Sequence, residues 1–254
     1  MLPSERRNKI IELLRSKEVV TITEFMESFN ISIETVRRDL NLLEKQGKIQ
    51  KVYGGAKLKE NSNYETAIEN RMINRLADKQ NIGRKCVELI NDNDCIFIDS
   101  GSTTYQIAKY LDSKKNLTIV TNSIHVVNEL LSTDYEIIII GGRIRHSECS
   151  VVSYDYIFDF SQLNIQKSFI CASGITIENG ISDFNMHEAL TRKRIIERSR
   201  EIFVVSDSSK FGKDVTINVA TLDQIDCIVT DDNIDQLMIK NLAEKDIRIV
   251  QAKA

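Results

Sequence analysis

Arg37-Arg38-Asp39-Leu40 and Asp99-Ser100-Gly101-Ser102-Thr103-Thr104 are the stretches of this 254-residue chain best equipped for recognition chemistry. In the run from Ser32 to Gln46, Val36, Leu40 and Leu43 share one face of a helix. A rotation of about 100° per residue puts Glu34, Arg38, Asn41 and Lys45 roughly opposite them, with Thr35 and Arg37 on the flanks. Arginine suits guanine edges and phosphates, asparagine suits adenine, and threonine suits a methyl group or a phosphate. That is the equipment of a helix that reads a DNA groove. In the second stretch a glycine permits close backbone approach, while Ser/Thr hydroxyls and first-turn N–H groups suit a phosphate.

The elements around the first stretch match that use. Ser32 is placed to cap the helix and Gly47 to end it. Ser4 to Ser16 reads as a first helix and Thr23 to Phe29 as a second, with Asn30-Ile31 as the turn between the second and third. Lys48 to Tyr53 alternates as a strand, Gly54-Gly55 reverses the chain, and Ala56 to Lys59 returns. Three helices followed by a basic hairpin predict a winged helix-turn-helix. Its third helix would enter the major groove, and its wing, with Lys51, Tyr53 and Gly54, would lie along the backbone.

Beyond residue 92 seven short apolar runs read as buried strands: Cys95–Ile98, Leu117–Val120, Ile137–Ile140, Phe169–Ala172, Ile202–Val205, Ile225–Val229 and Ile247–Val250. Helical periodicity between several of them predicts a mostly parallel α/β sheet, whose ligands sit outside the carboxyl ends of the strands. At those ends lie Asp99 to Thr104, Thr121-Asn122-Ser123, Gly141-Gly142-Arg143 and Asp207-Ser208-Ser209-Lys210-Phe211-Gly212. Small, hydroxyl, amide and cationic groups together suit an anionic, polyhydroxylated ligand.

The run Ile31-Ser32-Ile33-Glu34-Thr35-Val36-Arg37-Arg38-Asp39-Leu40-Asn41-Leu42-Leu43-Glu44, then Gly47 and Tyr53-Gly54-Gly55-Ala56, resembles the signature of DeoR-type transcriptional regulators. The family usually has Arg and His where this chain has Lys51 and Tyr53, and a glycine near Ser153, within the Arg143 to Tyr156 loop that also holds Arg145 and His146. The resemblance covers nearly the whole chain. It implies an effector domain similar in fold to sugar-phosphate isomerases of the ribose-5-phosphate type. It further implies that Gly101, Ser102, Thr103 and Thr104 cradle a phosphate, that Asp99 and Asn122 lie near sugar hydroxyls, and that Lys210 is a charge partner. The expected function is sequence-specific DNA binding, with repression of sugar-metabolism genes relieved by a phosphorylated sugar.

Charge divides the chain in the same way. Residues 1–60 hold 12 Lys+Arg against 9 Asp+Glu, and residues 61–254 hold 22 against 28. The expected domains are a winged helix-turn-helix over 1–60 and an α/β effector and oligomerisation domain over 61–254, joined in the polar stretch Lys59 to Asn63. The basic excess is modest, so a homodimer or homotetramer is expected to supply the remaining DNA affinity. Glu65 to Asn91 reads as one long or broken helix between the domains.

Five widely spaced cysteines without a Cys-x-x-Cys pair, and only three histidines, imply neither a zinc site nor a disulfide framework, and no cofactor is expected. No apolar run reaches the ~18 residues needed to span a bilayer, and the charged N-terminus lacks a leader, so a cytoplasmic location is expected.

Three remaining clusters read as structural. His187-Glu188, on a helix expected from Asn185 to Arg200, reads as surface chemistry. Arg192-Lys193-Arg194 reads as that helix's polar face, and Asp231-Asp232 as the cap of the last helix. The rival function is an isomerase-like enzyme fused to a DNA-binding head. Asp99, Asp207 and Lys210 offer charged groups for proton transfer, but Glu178, in an expected turn with Asn179-Gly180, is a poor general base. A purely architectural module would explain neither stretch.

Overall fold

Helix α1 (Pro3–Ser16) begins with the chain's single proline, at a position where its missing N–H removes no helical bond. The computed structural model describes residues 2–17, 19–46, 48–58, 65–153 and 158–253. The backbone divides into two units, Met1–Thr66 and Ala67–Ala254.

In the first unit, α1 is followed by β1 (Val20–Thr21), α2 (Ile22–Phe29), α3 (Ile33–Lys45), β2 (Ile49–Val52) and β3 (Gly55–Leu58). Helix α2 starts earlier than Thr23 because Thr21 is the cap: its hydroxyl accepts from the Glu24 N–H, and the Glu24 carboxylate accepts from the Thr21 N–H. Asn30, in the left-handed region at φ 48°, ends α2 and turns the chain into α3. Strands β2 and β3 form the antiparallel wing, and Gly54 takes the φ of 77° that its turn requires. The short β1 adds a third strand, pairing Val20 with Ala56, which the sequence reading did not include. Ile10, Leu14, Phe25, Val36, Leu40, Leu43 and Ile49 form one core. Gly47 and the expected junction Lys59 to Asn63 lie outside the described residues.

The second unit runs α4 (Ile68–Ile73), α5 (Leu76–Glu88), β4 (Cys95–Ile98), α6 (Tyr105–Ala108), β5 (Thr118–Thr121), α7 (Ile124–Leu130) and β6 (Glu136–Ile139). It continues with β7 (Arg143–Arg145), β8 (Ser150–Val152), β9 (Ile165–Cys171), β10 (Gly174–Thr176), β11 (Gly180–Asp183), α8 (Met186–Ile196) and β12 (Ser199–Val205). The last elements are β13 (Ile217–Ala220), β14 (Cys227–Asp231), α9 (Gln236–Ala243) and β15 (Arg248–Ala252).

Among the described residues, seven strands make one parallel sheet in the order β15-β14-β12-β9-β4-β5-β6. These are the seven apolar runs of the sequence. The runs of the five inner strands are apolar because both faces are covered: Phe97, Val120, Ile170, Val204 and Ile228 enter one core, while Ile96, Ile98, Ile119, Phe169, Phe203 and Val229 enter the other. From β4 the chain winds outward through β5 and β6, then resumes on the other side of β4 with β9. The topological switch therefore lies between β4 and β9, where ligands of such sheets bind.

Of the long or broken helix expected over Glu65 to Asn91, the chain takes the broken form, interrupted at Asn74 and Arg75, the latter in the left-handed region at φ 51°. Several other expectations are corrected. Helix α8 stops at Ile196 rather than Arg200, because Ser199 already pairs with Ile165 as β12 begins. Asp235 caps α9, not Asp231-Asp232; Asp231 ends β14 and accepts from the Ser208 N–H at 2.6 Å. The antiparallel sheets β10-β11-β13 and β7-β8 carried no seven-strand signal and were not foreseen.

Candidate nucleic-acid interface and anion cleft

Ser32 caps α3 by accepting from the Thr35 N–H, and its hydroxyl lies 3.2 Å from the Thr35 hydroxyl. Val36, Leu40 and Leu43 are buried, while Glu34, Arg37, Arg38, Asn41 and Lys45 are exposed and Thr35 is half-buried. Its own main-chain N–H and the Ser32 hydroxyl hold the exposed Glu34 carboxyl below its ordinary pKa. Asp39, between the outward residues, turns inward. It accepts from Arg6 Nε at 2.6 Å and lies 3.5 Å from Arg7, so the pair clamps α3 to α1. In the wing, the Lys51 ammonium donates to Asn41 Oδ1 at 2.8 Å and lies 2.9 Å from Glu44, which joins wing and helix through two of the expected contact residues. Tyr53 and Gly54 are exposed at the tip.

At the switch point of the second unit, Asp99 follows β4 and is completely buried. Its Oδ1 accepts from the Ser100 N–H at 2.8 Å, and its Oδ2 accepts from the Cys171 N–H at 3.0 Å and from Arg192 Nε at 2.5 Å. Asn122, also completely buried, accepts from the Ser100 N–H at 2.8 Å and donates to the Ser100 hydroxyl at 3.1 Å. Thr104 donates to the Asp99 carbonyl at 2.7 Å. Asp99, Asn122 and Thr104 thus support the turn from below. Gly101 sits where a Cβ would stand 2.8 Å from the Cys171 Cβ, so the turn can pack against the end of β9 only with glycine there.

The arginine that neutralises Asp99 was read as part of a solvated helix face, and the structure reverses that reading. Arg192 is 3% exposed, with Nη1 donating to Asp183 at 2.6 Å and Nη2 lying 3.9 Å from Glu188. Burial opposes its charge, but Asp99, Cys171, Asp183 and Glu188 outweigh this and raise its pKa further. Glu188 is likewise buried, not surface chemistry; it accepts from the Ser150 hydroxyl at 2.5 Å and lies 3.5 Å from Arg145. Burial raises the Glu188 pKa against the pull of Arg192 and Ser150.

Above this floor is an open cleft. Gly101, Ser102 and Thr103 form one wall, and no protein acceptor takes the main-chain N–H of Ser102 or Thr103 among the described residues. Ser206, Asp207, Ser209 and Lys210, after β12, form a second wall. The third comes from the α4–α5 corner: Arg71, Asn74, Arg75 and Lys79. Those three cations escaped the sequence reading, because the break at Asn74 and Arg75 means that no single helix carries them. Gly141 and Gly142 instead lead into β7, outside this cleft.

The electrostatics are those of an anion site. Burial lowers the Lys79 pKa to about 8, opposed by Asp207 and reinforced by Lys210, Arg71 and Arg75. Burial works against the Asp207 charge, yet Lys210, hydrogen bonds from Ser209 and the nearby Lys79 hold its pKa below the ordinary value. Arg71 is also paired with the buried Glu148, in the β7–β8 connection. Among the described residues, no cluster of three or more His, Cys, Asp or Glu is placed to hold a metal, the cysteines are free, and no helix is long and apolar enough to cross a membrane.

A winged helix-turn-helix with exposed arginines, joined in one chain to a parallel α/β unit with a cationic cleft at its switch point, is the build of a ligand-responsive transcriptional regulator. Comparison with known proteins gives its family. Residues 6–62 match the DeoR-like helix-turn-helix domain and residues 74–232 the DeoR C terminal sensor domain. The HTH-type transcriptional regulator IolR of Bacillus subtilis is 37% identical over 91% of this chain and 92% of its own. The glycerol-3-phosphate regulon repressor of Escherichia coli is 34% identical over 91% and 92%. The chain belongs to the DeoR family of transcriptional regulators; these relatives are named as regulators and repressors, not as enzymes. Ribose 5-phosphate isomerase A from Neisseria gonorrhoeae aligns with 53% of each chain at 19% identity and a TM-score of 0.37, too distant a likeness to carry an argument.

Proposed function

We propose that this regulator represses sugar-metabolism genes by binding operator DNA as a homo-oligomer, and that a phosphorylated sugar in the cleft relieves repression. The observation that carries the ligand reading is the set of four cations, Arg71, Arg75, Lys79 and Lys210, in the cleft walled by the turn that holds the open Ser102 and Thr103 N–H groups. Asp207 within the cleft, Glu148 on Arg71 and Asp78, 4.0 Å from Arg75, offset part of that charge. The cationic groups suit a phosphate monoester, which carries about −1.5 to −2 at neutral pH. Hydroxyl and amide groups of Ser102, Thr103, Asn74, Ser206 and Ser209 suit a polyol next to that phosphate. Asp99, Asn122 and Thr104 serve by shaping the turn.

On the DNA side, Arg37, Arg38 and Asn41 read base edges. Ser32, Thr35, Lys51, Tyr53 and Gly54 position the backbone, and Glu34 sets the local charge. Two heads of a dimer placed about 34–36 Å apart would reach successive major grooves. That one relative is named for a glycerol-3-phosphate regulon agrees with a phosphorylated effector.

A thermal-shift panel of phosphorylated sugars beside their unphosphorylated parents tests the ligand half. A ligand at 100 times its dissociation constant stabilises by about 2.7 kcal/mol. Phosphorylated members are expected to raise the melting temperature while the parents do not; equal responses from both would refute an anion site.

A further inference from the structure

The Lys79 side chain is 4% exposed and faces two ways. It lines the anion cleft, and its ammonium donates to the main-chain carbonyls of Arg71 and, at 2.8 Å, of Asn74. Those carbonyls belong to the end of α4, where a helix leaves its last C=O groups without partners of their own. An ammonium has three protons and no acceptor capacity. Two of them close α4, which leaves one for the cleft. Helix α4 is in turn the first helix after the boundary at residues 66 and 67.

We propose that Lys79 is a positioning residue that transmits occupancy of the cleft to α4, because one ammonium group is shared between the bound anion and the carbonyls that end the helix. The inference rests on the anion-site reading above and adds the route by which that site reaches the segment leading to the DNA-binding unit. Geometry fixes the direction. An anion beside Nζ holds the ammonium charged and in place, and a charged, fixed donor strengthens both main-chain bonds. Arg75, left-handed at the corner, donates to the Ser208 hydroxyl at 2.9 Å and borders the same cleft, so the corner is held from the β12 side as well. Burial keeps Lys79 titrating near pH 8 among Asp207, Lys210, Arg71 and Arg75, so the empty cleft leaves part of the population uncharged and the corner looser. Filling the cleft removes that fraction.

The test is hydrogen exchange of the full-length protein with inorganic phosphate as the probe, read at two segments, 67–76 and 100–104. Phosphate at ten times its dissociation constant should slow openings that require its release by roughly tenfold. In the wild type both segments are expected to slow. In Lys79→Met, 100–104 should still slow once phosphate is raised to offset weaker binding, while 67–76 no longer responds; Lys79→Arg should restore part of that response. Slowing at 100–104 in the wild type without any change at 67–76 overturns the proposal, and so does a Lys79→Met protein in which 67–76 responds as in the wild type. Should Lys79→Met fail to fold, Lys79→Gln, which keeps a polar end but carries no charge, takes its place with the same expected and contrary outcomes. No slowing at either segment in the wild type would overturn the anion-site reading itself, a result distinct from the failure of the relay.

Discussion

Arg37-Arg38-Asp39 on α3 and Arg192-Lys193-Arg194 on α8 are similar charged triplets on amphipathic helices, and the fold uses them in opposite ways. On α3 both arginines are exposed and the acid is buried, clamped to Arg6 and Arg7. On α8 the leading arginine is buried against Asp99 and Asp183, with Cys171 at 3.1 Å, while Lys193 and Arg194 stay outside. A charged residue is committed to the interior when its partners converge from other elements, and those partners are far away in sequence. The helix-turn-helix unit therefore leaves its cations on the surface, whereas the sensor unit buries one to build the floor beneath the Gly101–Thr103 turn.

The largest expected effect breaks that contrast directly. Arg192→Met leaves Asp99 and Asp183 buried without their cation, and removing one partner of a buried pair costs about 3–5 kcal/mol. Urea denaturation should show that loss in the sensor unit, whereas Arg194→Met, which removes an exposed pair with Glu197, should change stability by no more than about 0.5 kcal/mol. Equal effects would erase the distinction between the two positions. Gly101→Ala comes next: its Cβ would crowd Cys171 and Thr104, overpacking costs about 1–3 kcal/mol, and the phosphate-induced thermal shift should shrink or vanish.

Arg38→Ala sharpens the other side of the comparison. It should weaken operator binding by about 1–3 kcal/mol in a fluorescence-anisotropy titration while leaving the melting temperature unchanged, because the side chain is exposed. Unaltered operator binding would contradict the assigned groove face.

The smallest effect expected is in pH dependence. Lys79 titrates at about 8 in the folded protein, below the ordinary 10.5 of the unfolded chain. Between those values the unfolded chain binds more protons, so Lys79 contributes stability that rises with pH across that window and is absent below it. Anion affinity runs the opposite way. Calorimetric titration of a phosphorylated ligand from pH 7.5 to 9.5 should show a loss on the order of tenfold as Lys79 discharges, equivalent to about one pKa unit of interaction. An affinity flat across that range would remove Lys79 from the site.

The contrast also explains what the sequence revealed. The α3 face was legible because one helix carries both its buried stripe and its outward groups, and the inner strands of the sheet were legible because strands covered on two faces carry apolar runs. Gly101, Ser102, Thr103 and Lys210 were legible because they follow strands directly. Arg71, Arg75 and Lys79 were not, since they reach the cleft from a corner whose break at Arg75 leaves little local mark. Arg192 and Glu188 were misread because a buried charge differs from a solvated one only through Asp99, Asp183 and Ser150, each on another element.

The central claim, that exposed cations on one unit grip DNA while a cationic cleft on the other answers a phosphorylated ligand, is tested most directly by operator affinity measured with and without a panel of phosphorylated sugars and their parents. The account predicts that at least one phosphorylated sugar shifts the dissociation constant by about 5- to 150-fold, a coupling of about 1–3 kcal/mol, while its unphosphorylated parent does not. An affinity that no phosphorylated sugar moves, or that the parents move equally, would contradict it.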